Sequence, residues 1–141
     1  MKQELVRDWM TRDVITITPV TSLAEAHELM KNKRIRRLPV VDHGQIAGIV
    51  TLGDVRGAEP SEASSLSIWE MNSLLANLKV VEIMSHDPIT IQQNASIGEA
   101  AKIMLEKKCS GLPVLDEAGH LIGIITESDI FRLVANEWAK S

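Results

Sequence analysis

Apolar and polar positions follow one pattern twice along the chain. In the first passage a short extended segment, Val14 to Ile17, leads to Pro19 and then to Ser22-Leu23-Ala24-Glu25, a capping-box pattern that opens helices. Leu23, Ala26, Leu29 and Met30 recur at helical spacing, which predicts an amphipathic helix with one buried stripe. Leu38-Pro39-Val40-Val41 and Ile46-Ala47-Gly48-Ile49-Val50 then flank Asp42-His43-Gly44-Gln45, and this predicts a hairpin. In the second passage Ser96-Ile97-Gly98-Glu99 opens a helix with Ile97, Ala100, Ile103 and Met104 on its inner face. Leu112 to Leu115 and Leu121 to Ile125 flank a longer turn ending at Gly119. Each helix is expected to cover a small sheet.

The two passages are a repeat. Met10-Thr11-Arg12-Asp13-Val14-Ile15-Thr16-Ile17 returns as Met84-Ser85-His86-Asp87-Pro88-Ile89-Thr90-Ile91, and Arg37-Leu38-Pro39-Val40-Val41-Asp42 as Gly111-Leu112-Pro113-Val114-Leu115-Asp116. Gly48-Ile49-Val50-Thr51-Leu52-Gly53-Asp54 parallels Gly123-Ile124-Ile125-Thr126-Glu127-Ser128-Asp129. The offset is 74 residues up to the turn, where Ala118 adds one position and makes it 75. A unit this small makes a poor core alone, so function is expected in the crevices between two copies. The division expected is a first subdomain at 1–60, a partly helical connector at 61–79 and a second subdomain at 80–141. Within the connector, Ala58 to Ser65 has the composition of a surface connection. Ser67-Ile68-Trp69-Glu70 is a further capping box, and Ile68, Met71, Leu75 and Leu78 supply an apolar helical face.

With 141 residues, 45% of them hydrophobic, the chain can bury about two thirds of its unfolded surface if both copies share one core. The single cysteine, Cys109, excludes an intrachain disulfide, and no signal peptide or spanning apolar run is evident. A cytoplasmic location is expected. A net charge of −4 provides no general attraction to nucleic acid or anionic lipid, although Lys31, Lys33, Arg34, Arg36 and Arg37 form a local basic run. The aromatic residues are Trp9, Trp69, Trp138 and Phe131, all outside the hairpins, which argues against a stacking platform for single strands. His27, His43, His86, His120 and Cys109 show no ligand spacing, so no metal is expected. No nucleophile and base pair that would make the chain an enzyme is visible either.

The chemistry concentrates where sheet gives way to helix. Thr51 stands three residues before Asp54, and Thr126 three before Asp129. One reading is helix capping, in which the hydroxyl accepts an amide and the early carboxylate favours the helix start. The other is a ligand site. A carboxylate accepts hydrogen bonds from two vicinal hydroxyls, while a threonine hydroxyl and helix amides receive phosphate oxygens.

The paired hairpins and glycine-to-aspartate motifs resemble a tandem pair of cystathionine-beta-synthase (CBS) domains, a Bateman module, over about Val6 to Val134. The connector around Ser67-Ile68-Trp69-Glu70-Met71-Asn72 is also similar to proteins related to an acetoin-utilisation regulator. The resemblance implies an α/β (α+β) fold of two small sheets, each packed with helices, around a pseudo-twofold axis. It implies a noncatalytic regulatory module that binds AMP, ADP, ATP or S-adenosylmethionine in clefts between the repeats and commonly pairs as a homodimer. It assigns Asp54 and Asp129 to the ribose hydroxyls, and Thr51 and Thr126 to ribose or phosphate. The backbones at Thr16-Ile17 and Thr90-Ile91 would edge the adenine, and Leu38-Pro39 and Leu112-Pro113 would form apolar walls. Arg37 would clamp phosphate in the first copy, where the second has Gly111, with more room and less charge. Thr126-Glu127-Ser128-Asp129 is more polar than Thr51-Leu52-Gly53-Asp54, which makes the second copy the stronger candidate. The competing function is a ligand-independent dimerisation or scaffold module, supported by helices rich in Ala, Leu and Met and by Phe131-Arg132-Leu133-Val134. Any response would pass through a second copy or a separate effector protein.

Overall fold

A computed structural model of the chain describes residues 4–58 and 67–139. Element order is α1 (Val6–Trp9), α2 (Leu23–Lys33), β1 (Arg37–Asp42), β2 (Gln45–Thr51), α3 (Leu52–Ala58), α4 (Ile68–Asn77), a single 3-10 turn at Val80–Glu82, then β3 (Ser85–His86). The second half supplies β4 (Ile91–Gln92), α5 (Ile97–Lys107), β5 (Gly111–Leu115), β6 (Leu121–Thr126) and α6 (Glu127–Trp138). Two small sheets result, in the orders β1-β2-β3 and β4-β5-β6.

The helices begin where the serines stand. Ser22, Ser96 and Ser67 each accept the backbone N–H of the glutamate three residues on, at 3.0–3.1 Å, satisfying a donor that the first helical turn leaves unpaired. Helices α2 and α5 end alike, with Arg34 and Lys108 in the left-handed conformation. Of the expected inner faces, Leu23, Ala26 and Met30 on α2 and Ile97, Ala100 and Met104 on α5 are buried, while Leu29 and Ile103 are half-buried against the same cores. In the connector Leu75 is buried and Leu78 packs against the same core; residues 59–65 of the expected surface connection lie outside the described residues, as does the Ile68 side chain. The first hairpin turns through His43 and Gly44, both at positive φ, with Asp42 paired to Gln45. This is the two-residue turn whose twist suits antiparallel strands. In the second hairpin Asp116 accepts the amides of Ala118 and His120 at 2.9 Å, so the extra residue is held by a carboxylate. The amide of His120 foremost keeps the Asp116 carboxyl below its ordinary value of 3.8.

The compact units are not contiguous halves. One comprises 15–88, the other 1–14 together with 89–141. Each therefore takes the segment that precedes the other repeat. In the first-repeat unit, β3 lies antiparallel to β2, with Ser85 opposite Ile49 and His86 opposite Gly48. In the second-repeat unit Thr11 and Ile124 exchange two backbone hydrogen bonds of 2.9 Å. Val80 donates to Thr21 in one unit at 2.8 Å, and Val6 to Ala95 in the other at 2.9 Å. The cores reflect this exchange. Val80 and Met84 are buried with Leu23, Leu38 and Val55, whereas Val6 and Met10 are buried with Ile97, Leu112 and Ile125. On the far side of each hairpin the extended segment contributes only a short parallel pairing, Ile17 with Val40 in one unit and Ile91-Gln92 with Val114-Leu115 in the other.

Close approach of the exchanged segments requires glycine at matching positions. A Cβ on Gly48 would lie 2.7 Å from both the Met84 sulfur and the Ser85 carbonyl oxygen; on Gly123 it would lie 2.5 Å from the Met10 sulfur and 2.9 Å from the Thr11 carbonyl oxygen. The backbone oxygens belong to segments hydrogen-bonded to the hairpins and have little room to yield. Gly48→Ala and Gly123→Ala are each expected to destabilise the protein by about 1–3 kcal/mol in urea unfolding. Gly98→Ala, whose Cβ meets only the Ser96 hydroxyl at 3.8 Å, is the control expected to cost nothing.

Candidate functional site

Both threonine–aspartate pairs sit at a strand end that becomes a helix in the next residue. Thr51 closes β2 and Leu52 begins α3; Thr126 closes β6 and Glu127 begins α6. At the first junction Asp54 Oδ2 accepts the Thr51 amide at 2.9 Å, and Thr51 Oγ1 accepts the Asp54 amide at 3.1 Å, a reciprocal cap. At the second, Asp129 Oδ2 accepts both the amide of Thr126 at 2.9 Å and its hydroxyl at 3.1 Å. Asp129 Oδ1 accepts Arg132 Nη1 at 2.8 Å. Capping is therefore real at both places, and each carboxylate is held in a fixed orientation. Their exposure differs: Asp54 is half-buried, while Asp129 is only 3% exposed and is the one buried charged residue among the described residues.

Each unit collects one set of the residues singled out in the sequence. Thr16, Ile17, Arg37, Leu38, Pro39, Thr51 and Asp54 fall in 15–88, and Thr90, Ile91, Gly111, Leu112, Pro113, Thr126 and Asp129 in the other unit. The register brings Arg37 opposite Thr51 and Gly111 opposite Thr126. The junctions are tied to the start of each hairpin by two further bonds, Leu52 N–H to the Arg36 carbonyl at 2.7 Å and Glu127 N–H to the Ser110 carbonyl at 3.1 Å. Leu38, Pro39, Leu112 and Pro113 are fully buried. Ile17 and Ile91 are buried as well, whereas Thr16 is exposed and Thr90 half-buried. The Ile17 N–H donates to the Pro39 carbonyl at 3.1 Å, and its carbonyl accepts Val41 N–H at 2.8 Å. Both main-chain groups of Ile17 are thus spent on the sheet.

Of the basic run, Lys31 and Lys33 lie exposed in the last turn of α2, with Lys31 3.9 Å from Glu28, which suits a solvated helix end. Arg34 is the left-handed cap of that helix. Among the described residues no three histidine, cysteine, aspartate or glutamate side chains are grouped to hold a metal ion. No helix among them is long and apolar enough to cross a membrane. The sequence reading did not single out Arg132, whose guanidinium pairs with the candidate site's Asp129. Its signal was present: opposite charges three residues apart share a helix face.

The CBS domain family model matches residues 6–61 and 80–136. The chain belongs to the CBS-domain family. Its two small helix-packed sheets match solved CBS pairs. One is the CBS domain pair of protein MJ0100, solved with 5′-methylthioadenosine and S-adenosyl-L-methionine, at 30% identity and TM-score 0.79, covering 96% of this chain and 99% of that one. Another is CBSX2 of Arabidopsis thaliana in complex with AMP, at 28% identity and TM-score 0.80, covering 95% and 98%. A third is a Vibrio cholerae protein named for acetoin utilization, at 30% identity and TM-score 0.79, covering 98% and 95%. Some curated relatives are longer. The chain spans about half, 48%, of an uncharacterized Methanocaldococcus jannaschii protein, MJ1225, to which it is 33% identical over 95% of its own length.

The two aspartates are expected to differ in their structural weight. Asp54→Ala removes one helix cap and should cost about 0.5–2 kcal/mol in urea unfolding. Asp129→Ala strands the amide and hydroxyl of Thr126 beside a buried site and should cost more, about 2–3 kcal/mol, with Asp129→Asn recovering part of it.

Proposed function

We propose that this CBS pair is a noncatalytic regulatory module that binds an adenosine-containing ligand, AMP, ADP, ATP or S-adenosylmethionine, at its threonine–aspartate junctions. The observation that carries this reading is the recurrence of one device: a carboxylate held by its own helix cap at the end of the second hairpin strand, in both units. Solved relatives that span nearly the same length hold AMP in one case and methylthioadenosine with S-adenosylmethionine in another.

In this reading Asp54 and Asp129 accept the ribose hydroxyls, and Thr51 and Thr126 approach ribose or phosphate. Arg37, opposite Thr51 in the sheet, contributes positive charge for phosphate in the first repeat, and Gly111 leaves the matching place open in the second. The adenine edge is read by main-chain groups of the opening segments. With Ile17 spent on the sheet, the exposed Thr16 is the nearer reader in the first repeat, and Thr90 beside Ile91 is its counterpart. Leu38, Pro39, Leu112 and Pro113 support the apolar side of each site from within the strands. Binding regulates by favouring one arrangement of the protein over another, and the shift is limited by the ligand's differential affinity for the two. The response passes to a second copy or to an effector protein.

A ligand-independent dimerisation module is the second reading, and one observation favours it. Phe131 and Trp138 on α6 and Leu105 on α5 are 67%, 76% and 81% exposed. Titration calorimetry of nucleotide-stripped protein with AMP, ATP and S-adenosylmethionine separates the two. Saturable binding is expected, weakened about 10- to 100-fold at the affected site by Asp54→Ala or Asp129→Ala, the cost of losing hydrogen bonds to a charged group. Absence of binding to all three, or binding indifferent to both substitutions, contradicts the adenosine reading and leaves the dimerisation module.

A further inference from the structure

The two junctions differ one helical turn beyond the aspartate. In the second repeat Arg132 reaches back to Asp129 Oδ1 at 2.8 Å, with its own side chain 64% exposed and that of Asp129 5% exposed. With Thr126 on Oδ2, both oxygens of this carboxylate are in use. In the first repeat the matching position is Gly57, where an added Cβ would meet nothing within 4 Å. Among the described residues the Asp54 carboxylate accepts one bond, at Oδ2 from the Thr51 amide, and its Oδ1 accepts none.

We propose that Arg132 determines the specificity of the second repeat's site, holding Asp129 when the site is empty and selecting adenosine ligands that carry a phosphate over those that do not. This rests on the adenosine reading above. Two ribose hydroxyls offer neutral hydrogen bonds. Three of the roughly four acceptor sites of this carboxylate are taken, so the second hydroxyl needs the place of the guanidinium, whose bond is charge-assisted and about twice the strength of a neutral one. The exchange is unfavourable unless the released guanidinium finds another anion. A 5′-phosphate joined to the same ribose supplies one, and the solvent-facing arginine can turn to it without disturbing the helix. Adenosine and methylthioadenosine bring no anion, and S-adenosylmethionine places a sulfonium cation next to the ribose, with its carboxylate only at the far end of the methionine chain. Among the described residues Asp54 has no such cation to displace, so the first repeat does not carry this penalty. The contrast between Arg37 and Gly111 puts a phosphate preference in the first repeat. The ion pair gives the second repeat one of its own, by replacement rather than by addition.

The test compares AMP with adenosine on Asp54→Ala protein, in which the second repeat's site remains, with and without Arg132→Gln. AMP is expected to bind about tenfold or more tightly than adenosine, and Arg132→Gln should bring the two within about threefold, partly by tightening adenosine. The reciprocal graft, Gly57→Arg in Asp129→Ala protein, should raise the AMP-to-adenosine preference of the first site. Thermal melting checks that each variant is folded, and Asp129→Asn replaces Asp129→Ala if the latter is not. An AMP-to-adenosine ratio unmoved by Arg132→Gln overturns the role of Arg132 and leaves the adenosine reading intact. Loss of all binding in Asp54→Ala protein, with binding kept in Asp129→Ala protein, does the same. If neither compound binds the wild type or any variant, the adenosine reading itself has failed.

Discussion

Gly48 and Gly123 are the points on which the rest of the fold depends. At each, the second strand of a hairpin lies so close to the segment leading into the other repeat that no side chain fits between them. That closeness lets Ser85 and His86 complete one sheet and Thr11 close against the other. It also brings Val80 with Met84, and Val6 with Met10, into cores they do not adjoin in sequence. Each repeat's core is completed by residues that precede the other repeat. The exchange removes the weakness expected of a unit this small.

The same strands carry the candidate chemistry. Three residues after Gly48 comes Thr51, and three after Gly123 comes Thr126, so the strand fixed by the exchanged segment ends at the junction that orients Asp54 or Asp129. Buried Val55, one residue after Asp54, anchors the start of α3 to the core, and half-buried Ile130 does so for α6. A carboxylate positioned in this way loses little freedom when it meets a ligand, which is the advantage of preorganisation. In the proposed reading, capping and binding are therefore one arrangement used twice: the cap supplies the orientation, and a ribose would take carboxylate lone pairs that the cap leaves unused.

Local features were the most legible in the sequence. Ser22, Ser67 and Ser96 mark helix starts because a first-turn amide needs an acceptor, and the Asp42-His43-Gly44-Gln45 turn declares itself through residues that tolerate positive φ. The threonine–aspartate spacing pointed to the junctions for the same reason. What escaped was nonlocal. Periodicity within Val14 to Ile17 shows an extended segment but does not reveal that only Ile17 joins the sheet, because pairing depends on the partner strand. The exchange of lead-in segments leaves only the repeated methionine and glycine, Met10 with Gly123 and Met84 with Gly48, and no single-chain pattern links members so far apart. Arg132 was overlooked for a different reason. Apolar Phe131, Leu133 and Val134 drew attention to a helix face, while the charge among them closes onto Asp129 across one turn.

The central claim is that the ligand sits on the two caps, and backbone amide NMR reports on those caps directly. Titrating AMP into isotopically labelled protein should produce the largest shifts at the Thr51 and Thr126 amides, which donate to Asp54 and Asp129, and at the residues of the following helical turns. Shifts centred on other residues while both threonine amides stay unmoved at saturation, or no shifts at all, would contradict the account.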